Sequence, residues 1–214
     1  MSVPIIIVGA GGHAKVVLET LRQDGTEVLG LVDSDPEMNG ASLLGVPIIG
    51  GDDAVAEYSP HDVRLTIGLG SISQRRKLFG DFKDQAYEFA NVIHPAAVVS
   101  NVAQLGEGVQ IMAGAIIQAD ARIGDNVIIN TGATVDHDCV IGGHVHIAPG
   151  ATLAGNVRIG VGSLVGAGST ILENVSVGEN CIIAGGATVI SDVANNNTVA
   201  GTPATPIADK EQDR

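Results

Sequence analysis

The sequence predicts two unlike parts: a small parallel α/β domain over residues 1–90, then an all-β stack of short parallel strands over 91–214. Three observations predict it. From Ile93 to Val189 every sixth residue is Ile, Leu or Val, seventeen positions without an insertion. All five aromatic residues (Tyr58, Phe79, Phe82, Tyr87, Phe89) precede residue 90, so the last 125 residues have no Phe, Tyr or Trp to fill an interior. Before residue 90, apolar runs alternate with helix-like ones, and a glycine turn joins the first pair.

In the first part, Val3–Val8 is an apolar run that reads as a buried first strand. The turn Gly9-Ala10-Gly11-Gly12-His13-Ala14 follows and opens an amphipathic helix ending near Gln23. A second strand, Glu27–Val32, ends in Asp33. Next come a strand at Val46–Ile49, a short helix near Asp52–Tyr58, a strand at Val63–Leu69 and a helix at Gln74–Gln85. This order makes the domain Rossmann-like. A glycine turn between strand and helix leaves backbone N–H groups free at a helix N-terminus, a ready anion site. Gly9-x-Gly11-x-x-Ala14 fits a relaxed dinucleotide fingerprint, with Asp33 at the distance of a ribose contact. Fewer than 90 residues cannot hold both mononucleotide halves, so a single nucleotide is favoured over NAD-linked redox chemistry. A turn that serves only close packing is the alternative. His13 reads either as a surface histidine or as a phosphate contact.

In the second part, a six-residue unit with one long aliphatic and one small inward residue is the repeat of a parallel β-helix. Three units make a coil of about 18 residues, and coils stack about 4.8 Å apart. The fifth position of each unit, Ala97 through Val193, is always Ala, Val, Ser or Cys. Gly, Asn and Asp gather at positions two to four, where corners need permissive backbone. Both cysteines, Cys139 and Cys181, fall at position five and read as small core residues.

Three of the six histidines lie within ten residues: His137, His144 and His146. His137 is at position three, an outward corner, between Asp136 and Asp138. Flanking carboxylates raise a histidine's pKa and fix its tautomer, which suits a general base. A solvated corner histidine is the plain alternative. Another alternative is a zinc site similar to that of β-helices of the γ-carbonic-anhydrase kind, which share three histidines across a subunit interface, two of them whole coils apart and the third close by. The gaps from His137 are 7 and 9 residues, so that pattern is not matched and no metal is expected. With 24 acidic and 11 basic residues the chain carries a net charge of −13, which argues against nucleic-acid or anionic-membrane binding. No apolar run reaches the ~18 residues of a membrane span, and the first strand lacks a signal peptide's basic start, so the cytoplasm is the expected location.

The glycine turn GAGGHAKVV, the segment INTGATVDHDCVIG, the hexads and the closing Gly201-Thr202-Pro203-Ala204 together resemble one bacterial family over about residues 3–207. It is the nucleotide-sugar acetyltransferases that N-acetylate a 4-amino sugar in bacillosamine or perosamine synthesis, with sialic acid O-acetyltransferases as relatives. The resemblance implies a left-handed β-helix and direct transfer from acetyl-CoA, with His137 as proton acceptor and Asp138 as the acid beside it. It implies acetyl-CoA contacts at His146, Ala167 and Gly185. Nucleotide-sugar contacts fall on Gly11, Gly12, His13, Asp33, Ser34 and Gly68, with a UDP-linked sugar favoured over GDP-perosamine. His144 has no assigned role and reads as a surface residue. The resemblance also implies a homotrimer with active sites between subunits. Residues 90–214 hold only Arg122, Arg158, Lys210 and Arg214 against 11 acids, so backbone N–H groups and Arg158 are expected to carry the phosphates of CoA. Two other readings are O-acetylation of sialic acid or another sugar hydroxyl, and a non-enzymatic nucleotide-binding scaffold.

Overall fold

The computed structural model describes residues 3–207; the expected C-terminal tail, 208–214, lies outside the described residues. In the first part β1 (Ile5–Val8) leads into α1 (Gly12–Gln23), followed by β2 (Val28–Val32), β3 (Ser42–Leu43), β4 (Val46–Gly50), β5 (Arg64–Ile67) and α2 (Ile72–Asp84). The sheet order is β3-β4-β2-β1-β5. All neighbours are parallel except β3 and β4, an antiparallel hairpin turned by Leu44 and Gly45, both at positive φ. The sequence reading missed β3, because two residues carry no periodicity. The short helix expected near Asp52–Tyr58 is a 3₁₀ segment over Asp52–Glu57. The helix expected at Gln74 begins two residues earlier, where the Ser71 hydroxyl accepts from the Gln74 N–H as an N-cap.

Each face of this sheet has its own core. On one side Ile5, Ile7, Ala14, Val17, Leu18 and Leu21 pack together with Val92 and Met112 of the second part. On the other, Ile6, Val8, Leu65 and Ile67 meet the aromatic residues of α2 and the strand-like segment after it. Phe79 and Phe89 stack at 4.4 Å between centroids. The aromatic-rich window therefore fills a sheet–helix layer, which the β-helix does not contain.

The second part is a triangular prism of two-residue strands paired only in parallel until its last strand. Its first face stacks Val92–Ile93, Gln110–Ile111, Ile128–Ile129, His146–Ile147, Leu164–Val165, Ile182–Ile183 and Thr198–Ala200. The second face stacks Val98–Val99, Ile116–Ile117, Thr134–Val135, Thr152–Leu153, Thr170–Ile171 and Thr188–Val189. The third stacks Gln104–Leu105, Arg122–Ile123, Val140–Ile141, Arg158–Ile159 and Ser176–Val177. Position one and position five point inward and form a single continuous core from Val109 to Val199. Ile93 is the exception at 37 % exposed, since the first coil has nothing beneath it. Position four takes the left-handed backbone conformation in every unit from Gly108 to Gly186. Each of those residues is Gly, Asn or Asp except His144, which explains the corner composition seen in the sequence.

The α/β domain docks on the lower half of the first face. Val92, Gln110 and Ile128 occupy outward positions there, yet each is at most 1 % exposed.

Candidate functional site

The glycine turn forms as expected. Gly11 is the N-cap of α1 and supplies no side-chain cap, so the first N–H groups of the helix stay available. A side chain at Gly11 or Gly12 would meet open space, which leaves room for a ligand. The turn itself is held by Asp33, whose Oδ2 accepts the Ala10 N–H at 2.7 Å while its Oδ1 accepts the Asp35 N–H at 3.0 Å. Ser34 stands exposed beside it. Gly68 serves packing: a Cβ there would lie 2.7 Å from the Ala14 Cβ, so its lack of a side chain lets the end of β5 approach α1.

His13 is neither a free surface residue nor simply a phosphate donor. Its Nε2 lies 2.7 Å from the Gln110 Oε1 on the first face of the prism. The Gln110 amide N–H groups donate to the Thr66 hydroxyl and the Ile67 carbonyl, which orients the amide and puts the shared proton on His13 Nε2. Burial holds the His13 pKa below its ordinary value. The neutral ring therefore presents Nδ1 as an acceptor.

A second group crosses the same interface and escaped the sequence reading. Arg75 is fully buried and donates to four main-chain carbonyls: Asn126 at 3.2 Å, Gly70 at 3.3 Å, His144 at 2.8 Å and Val145 at 3.3 Å. Among the described residues no carboxylate pairs with it, and burial brings its pKa down to about 10, so it stays charged at neutral pH. The run Gln74-Arg75-Arg76-Lys77 looks like a solvated helix face. The usable signal was spacing, because Arg75, Phe79 and Phe82 share the buried face of α2. Nor is His144 a plain surface residue. Its Nδ1 lies 2.9 Å from Asn126 Nδ2, its ring packs edge-on against Phe79, and its pKa is lowered by burial and by Arg76 and Arg75.

His146 is half-buried on the first face and lines a groove of about 1000 Å³ between that face and α2, with Gly70, Ser71, Arg76, Leu164 and Ile182. The Asn130 Oδ1 accepts the Thr131 N–H, so its amide nitrogen donates to His146 Nε2 at 3.1 Å. The other side of the ring reaches the backbone of Gly70. Burial, with Arg75 and His13 nearby, lowers its pKa to about 4.

His137 stands apart from all of this, on the edge between the second and third faces. The left-handed backbone of Asp138 (φ 61°) swings its carboxylate back beside the imidazole, and Nδ1 lies 2.8 Å from Oδ2. The Asp136 carboxylate accepts the His137 N–H at 2.7 Å and fixes the corner. The ring is 60 % exposed, and the hydrogen bond to Asp138 raises its pKa. With Nδ1–H given to the carboxylate, Nε2 keeps a lone pair facing outward. The ring lies over Gly155 one coil on, where a Cβ would stand 2.6 Å from both Cε1 and Nε2. Cys139, two residues away, points into the core with its Sγ 3.2 Å from the Ala154 carbonyl.

Ala167 and Gly185 stack on the edge between the first and second faces. Their N–H groups meet no acceptor among the described residues, so this edge offers outward backbone donors. Arg158 lies on the third face, away from that edge. The three clustered histidines fall on two edges and one face. Among the described residues no three His, Cys, Asp or Glu side chains converge as a metal site.

Residues 4–82 match the PglD N-terminal domain family, and residues 102–137 and 120–155 match the bacterial transferase hexapeptide (six repeats) family. Over 97 % of its length the chain superposes on the whole acetyltransferase domain of PglB from Neisseria gonorrhoeae FA1090, solved with acetyl coenzyme A, with a TM-score of 0.91 and 38 % identity. It is 40 % identical to a His-to-Asn variant of perosamine N-acetyltransferase from Caulobacter crescentus, solved with CoA and GDP-perosamine. That match has a TM-score of 0.92 and covers 96 % of this chain and 97 % of the other. UDP-N-acetylbacillosamine N-acetyltransferase of Bacillus subtilis (strain 168) is 40 % identical over 118 residues, about half the length of each chain.

Proposed function

We propose, for a chain that belongs to the bacterial nucleotide-sugar acetyltransferase family of left-handed hexapeptide-repeat β-helices, that it moves the acetyl group of acetyl-CoA to the 4-amino group of a nucleotide-linked dideoxy sugar. The observation that carries this is the His137–Asp138 pair: an exposed imidazole whose one nitrogen is bound by a carboxylate and whose other is free. An amine attacks only when unprotonated, so a base of near-neutral pKa is the chief chemical need. As the sugar nitrogen bonds to the thioester carbonyl carbon, Nε2 of His137 takes its proton. The carbon–sulfur bond then breaks, and the CoA thiolate leaves and recovers that proton. No covalent enzyme intermediate is required, and the inward Cys139 is not placed to form one.

The nucleotide binds at the glycine turn through Gly11, Gly12 and His13, with Asp33 holding the turn and Ser34 and Gly68 at its margins. Acetyl-CoA runs along the edge of Ala167 and Gly185 and reaches His146. Within one chain these parts do not meet. The α/β domain docks on the first face, opposite the edge that bears His137. The CoA edge is one face-width away, and six residues at ~3.3 Å each make that about 20 Å. This separation supports a homotrimer in which His137 of one chain serves substrates held by another. The second face also supports it: its outward residues are Val98, Ile116, Thr134, Thr152, Thr170 and Thr188, without a charge, whereas the third face carries Arg122 and Arg158. Acetyl-CoA and nucleotide sugars as substrates fit a cytoplasmic protein, and among the described residues no helix is long and apolar enough to cross a membrane.

The test is release of free thiol from acetyl-CoA on addition of UDP- or GDP-linked 4-amino dideoxy sugars, with the product mass read in parallel. Thiol release matched by one acetyl group on the sugar nitrogen is expected. Thiol release only with hydroxyl sugars would replace the amine as acceptor, and silence with every sugar would remove the enzymatic reading.

A further inference from the structure

We propose that the pocket beside the glycine turn selects guanine, with the Asp52 carboxylate accepting hydrogen bonds from its N1–H and exocyclic amine. The inference rests on the nucleotide reading above and reverses the order of bases that the family resemblance implies. The pocket, of about 270 Å³, lies beyond the carboxyl ends of β1 and β2, where an open parallel sheet binds its ligand. Val8, Leu69 and Leu78 give it apolar walls for the faces of a planar ring. Its polar lining is Asp33, Ser34, Asp52, Gln74 and Lys77, two carboxylates against one cation.

The two carboxylates differ in what they have left to give. Asp33 already accepts one backbone N–H on each oxygen, at 2.7 and 3.0 Å, and is committed to the turn. Asp52 accepts no hydrogen bond and makes no ion pair among the described residues. Lys77, the cation on the same pocket, is held 2.7 Å from Asp81. Partial burial and the charge of Asp33 raise the pKa of Asp52, the mark of a carboxylate short of donors. Asp53 and Asp81 push the same way and Lys77 opposes them.

A carboxylate is an acceptor pair, and it is matched by two adjacent donors. Guanine offers that pair at N1–H and the 2-amino group. Uracil offers one N–H between two carbonyl oxygens, which would face the carboxylate and lose by repulsion. Adenine and cytosine set an amine beside a ring nitrogen lone pair. Of the four bases, guanine alone fits both oxygens of Asp52.

Titration calorimetry of the full-length protein with GDP, UDP and IDP tests this, alongside Asp52→Asn. GDP is expected to bind at least about tenfold tighter than UDP, as one good bidentate pair allows. IDP, which lacks the 2-amino group, should fall between them, and Asp52→Asn should erase most of the GDP advantage while changing UDP little. UDP binding as tightly as GDP, or IDP matching GDP, would overturn the guanine reading and leave the nucleotide site standing. Binding of none of the three would overturn the site and the guanine reading together. The IDP comparison uses the unaltered protein, so a folding defect in the variant cannot obscure the result.

Discussion

Gly155→Ala should disable the enzyme without weakening the fold. The new methyl carbon would lie 2.6 Å from Cε1 and Nε2 of His137, whereas ordinary contact begins near 3.4 Å. The ring must therefore move by about 0.8 Å, the difference between those two distances. Gly155 has no positive φ, so alanine brings no backbone strain, and the exposed imidazole can swing into solvent at little cost. Stability should change by less than about 0.5 kcal/mol. Catalysis is less tolerant, because a base displaced by about 1 Å loses on the order of a hundredfold in rate. Steady-state acetyl transfer, with thermal melting alongside, separates the two effects: kcat should fall by about that factor, with the Kd for CoA and the melting temperature retained. Full kcat in Gly155→Ala would refute the idea that His137 works from its seat over this glycine.

Other perturbations follow from the same contacts. Asp138→Asn removes the main cause of the raised His137 pKa, so the acidic limb of the kcat profile should shift to lower pH while the plateau falls; an unmoved limb would exclude His137 as the titrating base. His146 has a folded pKa of about 4 against 6.5 unfolded, so the unfolded chain takes up its proton first as pH drops. Stability should therefore decline from pH 6.5 downward, by about 2 kcal/mol at pH 5, and His146→Gln should flatten much of that slope in urea titrations. His13 and His144 are lowered by burial as well and add to the decline in the same sense. Arg75→Met takes a donor from four carbonyls and leaves those of Asn126 and His144 without one, while Val145 keeps the Ile128 N–H; it should cost at least about 3 kcal/mol, with the α/β domain melting before the β-helix, and a single unchanged transition would contradict the clamp.

The prism was legible because its constraint is one-dimensional. A narrow interior admits one long and one small side chain per hexad, and that rule is written in every unit from Ile111 to Val189. The corner role of His137 followed from its position in the hexad alone. What could not be read were contacts between the two parts, since no periodicity links Arg75 to the carbonyls of His144 and Val145 or His13 to Gln110. Gln110 and His146 occupy the same hexad position on one face, and only docking of the α/β domain decides that the first is buried and the second half-buried. The His144 error has the same origin. An outward corner reads as solvent until another domain covers it.

The most direct measurement is thiol release by His137→Ala at saturating acetyl-CoA and amino sugar, with the affinities for both substrates determined on the same sample. The proposed mechanism requires a loss of at least about a hundredfold in kcat, the usual worth of a general base, with both affinities and the melting temperature preserved. Substantial turnover by the variant at neutral pH would contradict the assignment of His137 as the base and return it to the status of a solvated corner.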